Sequence, residues 1–215
     1  MSNENKIILD LCGGSGAWSE PYREAGYDVR LVTLPEQDVR LYIPPRNVYG
    51  VLAAPPCTHF AISGVRWWKQ KGDAALLDGL SVVDACIRII HQCQPVWWAL
   101  ENPVGRLKQY IGQWKYTFQP YEYGDPWTKR TCIWGNHNVP EKNPVEPVGL
   151  WTGGTPSGRL GICDHPEYLP PDWVHKLPPT PDRAARRSVT PPGFAKAFFL
   201  SNRWAQPTIK QCRIT

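Results

Sequence analysis

Apolar and polar positions along the chain sort into short buried runs separated by glycine- and proline-marked joints. Residues 6–11 end in an apolar run, Ile7-Ile8-Leu9-Asp10-Leu11, followed by the glycine-rich stretch Cys12-Gly13-Gly14-Ser15-Gly16-Ala17-Trp18. A short helical segment over 19–25 comes next, closed by Gly26, and 27–34 reads as a second strand. The pattern is strand, loop, helix, strand, the opening of a βαβ unit. The run Val48-Tyr49-Gly50-Val51-Leu52 predicts a third buried strand. Residues 73–92 carry apolar side chains at Leu76, Leu77, Leu80, Val83, Ile87 and Ile90, the spacing of an amphipathic helix. Residues 96–100 predict another buried strand, 110–123 give mixed signals, and 131–135 predict a further strand. Over 137–181 apolar periodicity gives way to Pro, Gly, Trp and charge, which reads as an irregular insert. A last helix is expected over 194–204, apolar at Phe194, Ala197, Phe198 and Leu200.

Composition narrows this picture only a little. The chain has 215 residues, enough for one domain with a small appendage. Its formal charge of +5 is compatible with an anionic partner and does not require one. The start is polar, without the pattern of a secretory leader, and no apolar run has the length of a membrane span. The seven cysteines lack framework spacing, which favours free thiols and a reducing compartment. Cys163-x-His165 supplies two ligand types but no second pair, so no metal is expected.

Two strand ends carry candidate chemistry. After the third strand, Ala53-Ala54-Pro55-Pro56-Cys57-Thr58 delivers one thiol on a stiff turn, because proline cannot continue a hydrogen-bonded ladder. A thiol at the carboxyl end of a strand in an open α/β sheet stands where such sheets bind ligands. It can be a nucleophile or simply a packed cysteine. After the run at 96–100, Glu101-Asn102-Pro103 presents a carboxylate, which can serve chemistry or cap the next helix. Residues 63–72 mix Arg66, Trp67, Trp68, Lys69 and Lys71, a composition that suits a nucleic-acid strand and equally a solvated loop.

Taken in order, these pieces resemble the DNA (cytosine-5) methyltransferase family, and the short chain with its Glu-Asn-Pro variant resembles phage or prophage members. Asp10 to Trp18 is similar to the family's first motif, the S-adenosylmethionine loop, and Asp38 to its adenine-binding acid. Pro55-Pro56-Cys57 resembles the nucleophile motif and Glu101-Asn102-Pro103 the motif that grips the target cytosine. Lys129 to Gly135 resembles the arginine motif, and Arg187-Ser188-Val189-Thr190-Pro191-Pro192 the last motif, which returns to the cofactor. The resemblance covers most of 7–135 and then 183–200. It implies a Rossmann-like, mostly parallel sheet with helices on both faces. It implies a catalytic core over 1–136, a small target-recognition insert over 137–181 and a returning segment over 182–215.

The resemblance also implies an activity: methyl transfer from S-adenosylmethionine to C5 of a flipped-out cytosine in DNA. Cys57, Glu101 and Arg130 would be catalytic. Asp10, Cys12, Gly14, Ser15, Gly16, Trp18, Thr33, Glu36, Asp38, Pro55, Ser188 and Thr190 would hold the cofactor. Pro56, Thr58, Asn102, Thr128, Arg66 and Lys69 would meet the substrate. A monomer acting on duplex DNA in a bacterial cytoplasm is expected. The chain departs from the family in several places. Glu36 stands in for the usual ribose-binding acid, Thr58 for the glutamine after the nucleophile, and Thr128 for the first arginine of its motif. The reading insert is short, which implies a short or relaxed DNA site.

Overall fold

The computed structural model describes residues 3–152 and 167–205. Cys163 and His165 lie outside them. Among the described residues eight strands form, at Ile7–Leu11 (β1), Asp28–Val32 (β2), Val48–Ala53 (β3), Trp97–Pro103 (β4), Tyr116–Phe118 (β5), Thr131–Asn136 (β6), Leu150–Thr152 (β7) and Glu167–Leu169 (β8). The helices are Glu20–Glu24 (α1), Trp68–Cys93 (α2), Lys108–Ile111 (α3), Trp173–Lys176 (α4), Arg183–Ser188 (α5) and Pro192–Asn202 (α6). The main sheet runs β2-β1-β3-β4-β6-β5. Neighbours from β2 to β4 are parallel, and β6 lies antiparallel between β4 and β5. This is the expected Rossmann-like arrangement with a reversed hairpin at one edge.

Alternation along each strand divides the interior into two layers. Leu9, Leu11, Val51, Ala53 and Leu100 meet Val83, Cys86, Ile89 and Ile90 of α2 on one face. Ile8, Leu52, Trp97, Ala99 and Ile133 meet Tyr22 of α1 and Phe194, Phe198 and Phe199 of α6 on the other. Trp18 belongs to this second layer and is 2 % exposed, with its ring centroid 5.5 Å from that of Phe198.

The connections cross on opposite faces of the sheet, α1 between β1 and β2 and α2 between β3 and β4. β1 and β3 are neighbours, with Leu11 opposite Ala53. Ligands bind at the carboxyl ends of strands where such a sheet changes direction. The glycine loop after β1 and the Pro-Pro-Cys turn after β3 therefore open side by side, and Ala54 N–H donates to Leu11 O at 2.9 Å.

Three elements differ from the sequence expectation. β4 continues through Glu101, Asn102 and Pro103, because β6 pairs with it as far as Pro103 opposite Thr131. The basic, aromatic stretch after Cys57 is helical. A 3-10 turn at Ile62–Trp67 runs into α2, with a break at Gly72, whose φ of +73° is easy only for glycine. Residues 183–188, in the returning segment, form α5 ahead of the expected last helix. In the irregular stretch, β7 and β8 pair antiparallel, and Asn143, Val145 and Gly149 donate backbone hydrogen bonds to Glu122, Tyr121 and Pro126.

Candidate active site

The Cys57 turn is fixed from three sides. Cys57 O accepts the N–H groups of Phe60 and Ala61, both at 2.9 Å, and the Phe60 side chain is fully buried. Phe60 O accepts Arg106 N–H at 2.9 Å, and Ile62 N–H donates to Val104 O at 2.8 Å. Gly105 permits this strap, since a Cβ there would lie 1.8 Å from Phe60 O. From the sheet side, Asn102 Nδ2 donates to Pro55 O at 2.9 Å, and Asn102 is 1 % exposed. Asn102 therefore holds the turn from behind, rather than facing a substrate as the resemblance implies. Lys71 Nζ donates to Thr58 O at 2.8 Å.

β3 and β4 run parallel with Ala53 opposite Leu100, so the Cys57 turn and Glu101 rise at the same end of neighbouring strands. Glu101 pairs with Ile133 across β6. Side chains of paired residues share a face, and the alternation carried back from Ile133 through Thr131 reaches Lys129, not Arg130. Lys129 is buried, its Nζ donating to Val189 O at 3.2 Å, whereas Arg130 is exposed. Lys129 exerts its charge on both Cys57 and Glu101. Arg130 acts instead on Cys132, on the opposite face of β6. The expectation for Arg130 is corrected here: the cation beside the thiol and the carboxylate is Lys129, because the strand repeats every two residues.

Burial pushes the Cys57 thiol above its ordinary range, and Glu101 adds to this, while Lys129 and Arg187 oppose it. Burial likewise raises Glu101, against the pull of Lys129. Burial lowers Lys129, and Glu101 and Cys57 counter it. A buried cation and a buried carboxylate cost several kcal/mol each to desolvate, so retaining both beside a thiol points to function over stability. His175 of α4 is lowered first by burial and then by the charge of Arg187.

The other half of the cleft is built differently. Asp10 is fully buried and accepts Ser19 Oγ at 2.6 Å, and burial raises its carboxyl to about 6. Its second oxygen has no partner among the described residues. Asp10 thus ties the glycine loop to the start of α1. A Cβ on Gly13 would lie 2.3 Å from that carboxylate, which explains the glycine. Cys12 packs against the α2 layer, where its thiol and that of Cys86 influence each other. Cys12 and Trp18 therefore turn their side chains into the two cores, which leaves their backbone as the part that could meet a cofactor. Gly14 and Ser15 are exposed, with Gly14 facing open space, and Gly16 lies buried below them at φ +72°.

Beyond β2, Thr33 is half-buried and Glu36 exposed. Asp38 is engaged by Arg40, whose Nη2 lies 2.6 Å away and whose Nη1 reaches Asp78 at 3.0 Å. Gln37, Asp38, Leu41, Tyr42 and Ile43 line a shallow hollow of about 330 Å³. Pro55 is buried, Pro56 and Thr58 exposed. Thr128 N–H and Oγ1 both donate to Pro171 O, at 2.7 and 3.2 Å, so this residue ties α4 to the approach of β6. Arg66 and Lys69 are exposed beside the Cys57 turn, with Arg66 Cζ 5.0 Å from the Trp67 ring centroid. Ser188 donates its hydroxyl to Ala185 O at 2.7 Å, and Thr190 is half-buried. Sequence reading missed Lys129 as a member of the site. The signal for Lys129 was its parity with the apolar Ile133.

No protein-family model matches the chain, and no curated protein sequence matches it. A solved structure from E. coli, described as a candidate DNA modification methyltransferase encoded within a prophage, is similar to this chain at 16% identity. The match covers 67% of this chain and 55% of that one, with a TM-score of 0.46. The chain spans just over half the length of that neighbour. So distant a likeness says nothing about what the chain does, which the residues of the site must carry.

Proposed function

We propose that this protein is a DNA cytosine-C5 methyltransferase that uses S-adenosylmethionine and attacks its base through Cys57. The observation that carries this reading is the meeting of thiol, carboxylate and ammonium at two adjacent strand ends. Cytosine C5 is a weak nucleophile. Addition of the Cys57 thiolate to C6 forms a C–S bond and moves the electron pair of the C5–C6 double bond toward C5. Splitting one hard step into easier ones is the use of covalent catalysis. Glu101 grips N3 and the exocyclic amine, and burial, which pushes its carboxyl above the ordinary range, favours sharing a proton with N3. Lys129 holds Glu101 in orientation and offsets the charge of the thiolate. After the methyl is accepted at C5, a base removes the C5 proton, the C–S bond breaks and the pair returns to the thiolate. The nucleotide must leave the duplex to reach this turn.

The residues present fit the cofactor. The glycine loop offers open space at Gly14 and exposed backbone at Ser15 at the carboxyl end of β1, next to Thr33. Backbone around Gly14 to Gly16, with Thr33, Glu36 and Pro55, would hold it. When bound, S-adenosylmethionine supplies an electrophilic methyl group. Asp38 would take part only by releasing Arg40.

The test is incubation with labelled S-adenosylmethionine and mixed-sequence duplex DNA, then nucleoside mass spectrometry. The expected result is 5-methylcytosine that disappears with Cys57→Ala. Label on adenine or on the cytosine amine, or a mark that survives Cys57→Ala, would sink the reading.

A further inference from the structure

Two stretches of chain are strapped together beside the Cys57 turn. Ile62 N–H donates to Val104 O at 2.8 Å, Arg106 N–H donates to Phe60 O at 2.9 Å, and Ala61 bridges to Gly105. The residues after β3 and the residues after β4 therefore form one continuous rim at the carboxyl end of both strands. Arg106 Nε also donates to His59 O at 2.8 Å, and its guanidinium carbon lies 4.3 Å from the Trp68 ring centroid. Lys108 opens α3 just beyond the strap. It is exposed, with its Nζ 5.2 Å from the Trp114 ring centroid.

Charge along this rim has one sign. Residues 58–72 carry Arg66, Lys69 and Lys71, residues 104–118 carry Arg106, Lys108 and Lys115, and neither stretch holds an Asp or Glu. Among the described residues none of these six cations enters an ion pair with a carboxylate, whereas Arg23, Arg30, Arg40 and Lys142 each do. The 3-10 turn Ile62–Trp67 buries none of its side chains, and Trp67 is 48 % exposed beside Arg66. Cations in a row with a bare aromatic face between them match a chain of phosphates and a base. Stacking on that face needs a base that is not already stacked in a duplex, which favours an unpaired strand.

We propose that the rim from Arg66 through Trp67 and Trp68 to Arg106 and Lys108 is the track for one unpaired DNA strand, the strand that presents its base to Cys57. Its phosphates lie along the cations and one base stacks on Trp67. The stretch after β4 thereby joins a contact that the sequence suggested only at Arg66 and Lys69. The inference rests on DNA as the acceptor, but its test reads binding without S-adenosylmethionine or methyl transfer. Failure of the proposed chemistry and failure of this surface are therefore distinguishable.

The experiment is fluorescence anisotropy of the full chain with a labelled mixed-sequence single strand of about 12 nucleotides, and with its duplex, across salt. The single strand is expected to bind at least as tightly as the duplex. Lys108→Gln flattens the slope of log affinity against log salt by about 0.7, the signature of one lost phosphate contact. Trp67→Ala weakens binding about tenfold and leaves that slope unchanged, the signature of one lost stacked base. Both side chains are exposed, so circular dichroism should not change. Lys196→Gln, exposed on α6 across the sheet, leaves affinity and slope as they are. A wild-type slope in Lys108→Gln, a wild-type affinity in Trp67→Ala, an equal loss in Lys196→Gln, a duplex that binds more tightly, or no binding of the single strand overturns the proposal.

Discussion

The two halves of the cleft are made of different materials. In the half around the glycine loop the carboxylates are engaged by the protein itself: one oxygen of Asp10 by Ser19, and Asp38 by Arg40. What that half offers outward is backbone and open space. At Cys57 the reverse holds. The turn is fixed by backbone bonds, while thiol, carboxylate and ammonium are left with one another's fields as their main partners. A methyl donor can be held by a backbone cradle, but a reacting base needs charge placed in a dry site. The comparison teaches that exposure of a side chain marks function in neither half: the side chains of the expected cofactor residues Cys12 and Trp18 turn into the cores, and the cation of the reactive half is buried.

The contrast can be attacked at its strongest point first. Cys57→Ala should lower methyl transfer by about 10⁴-fold or more without unfolding the chain, measured by label incorporation and thermal denaturation. Trp18→Ala should act on the fold instead, costing about 3–5 kcal/mol in chemical denaturation, because it empties a buried site against Phe194 and Phe198. If Trp18→Phe weakens cofactor binding tenfold at unchanged stability, Trp18 belongs to the site after all.

A pH titration tests the buried carboxyl of the glycine-loop half next. The carboxyl of Asp10 titrates at about 6 in the fold against 3.8 in the open chain. A raised carboxylate contributes stability that is full below 3.8 and is lost as pH rises through about 6. Wild type should therefore lose on the order of 3 kcal/mol relative to Asp10→Asn between pH 4 and pH 7, read from urea midpoints. His137 runs the other way. Burial lowers it to about 4, so the protein loses stability as pH falls from 6.5 toward 4, and His137→Gln should flatten that limb.

Smaller effects sharpen the reactive half. Lys129→Met should reduce turnover by about 10²-fold, chiefly in kcat, since it leaves Glu101 without its partner. Arg130→Gln should change turnover by no more than about twofold, because an exposed charge on the far face is screened. A large loss in Arg130→Gln with Lys129→Met nearly silent would reverse the assignment.

The apolar periods of the chain foretold α2 and α6 closely, because each buries a stripe at helical spacing against a sheet face. Continuous apolar runs foretold β1, β3 and β6, because helices cover both faces of the central sheet. They failed at Glu101 to Pro103, where a proline suggested the end of a strand but an antiparallel neighbour keeps the strand going. They did not foresee that the side chains of Cys12 and Trp18, in a glycine-rich setting, each have a core within reach. The basic run after Cys57 read as loop because nothing local announces that Ile62–Trp67 would coil into the head of α2.

What the sequence determined by itself was the order of elements and the two strand ends that carry chemistry. Short-range pattern suffices there, since burial on one face selects the period and proline or glycine sets the joints. What only the tertiary structure decided was which charges meet. Lys129 joins Cys57 and Glu101 because β6 runs antiparallel beside β4 in one register, and a slip of one residue would bring Arg130 there instead. Contacts between residues tens of positions apart depend on register and packing, and no local pattern records them.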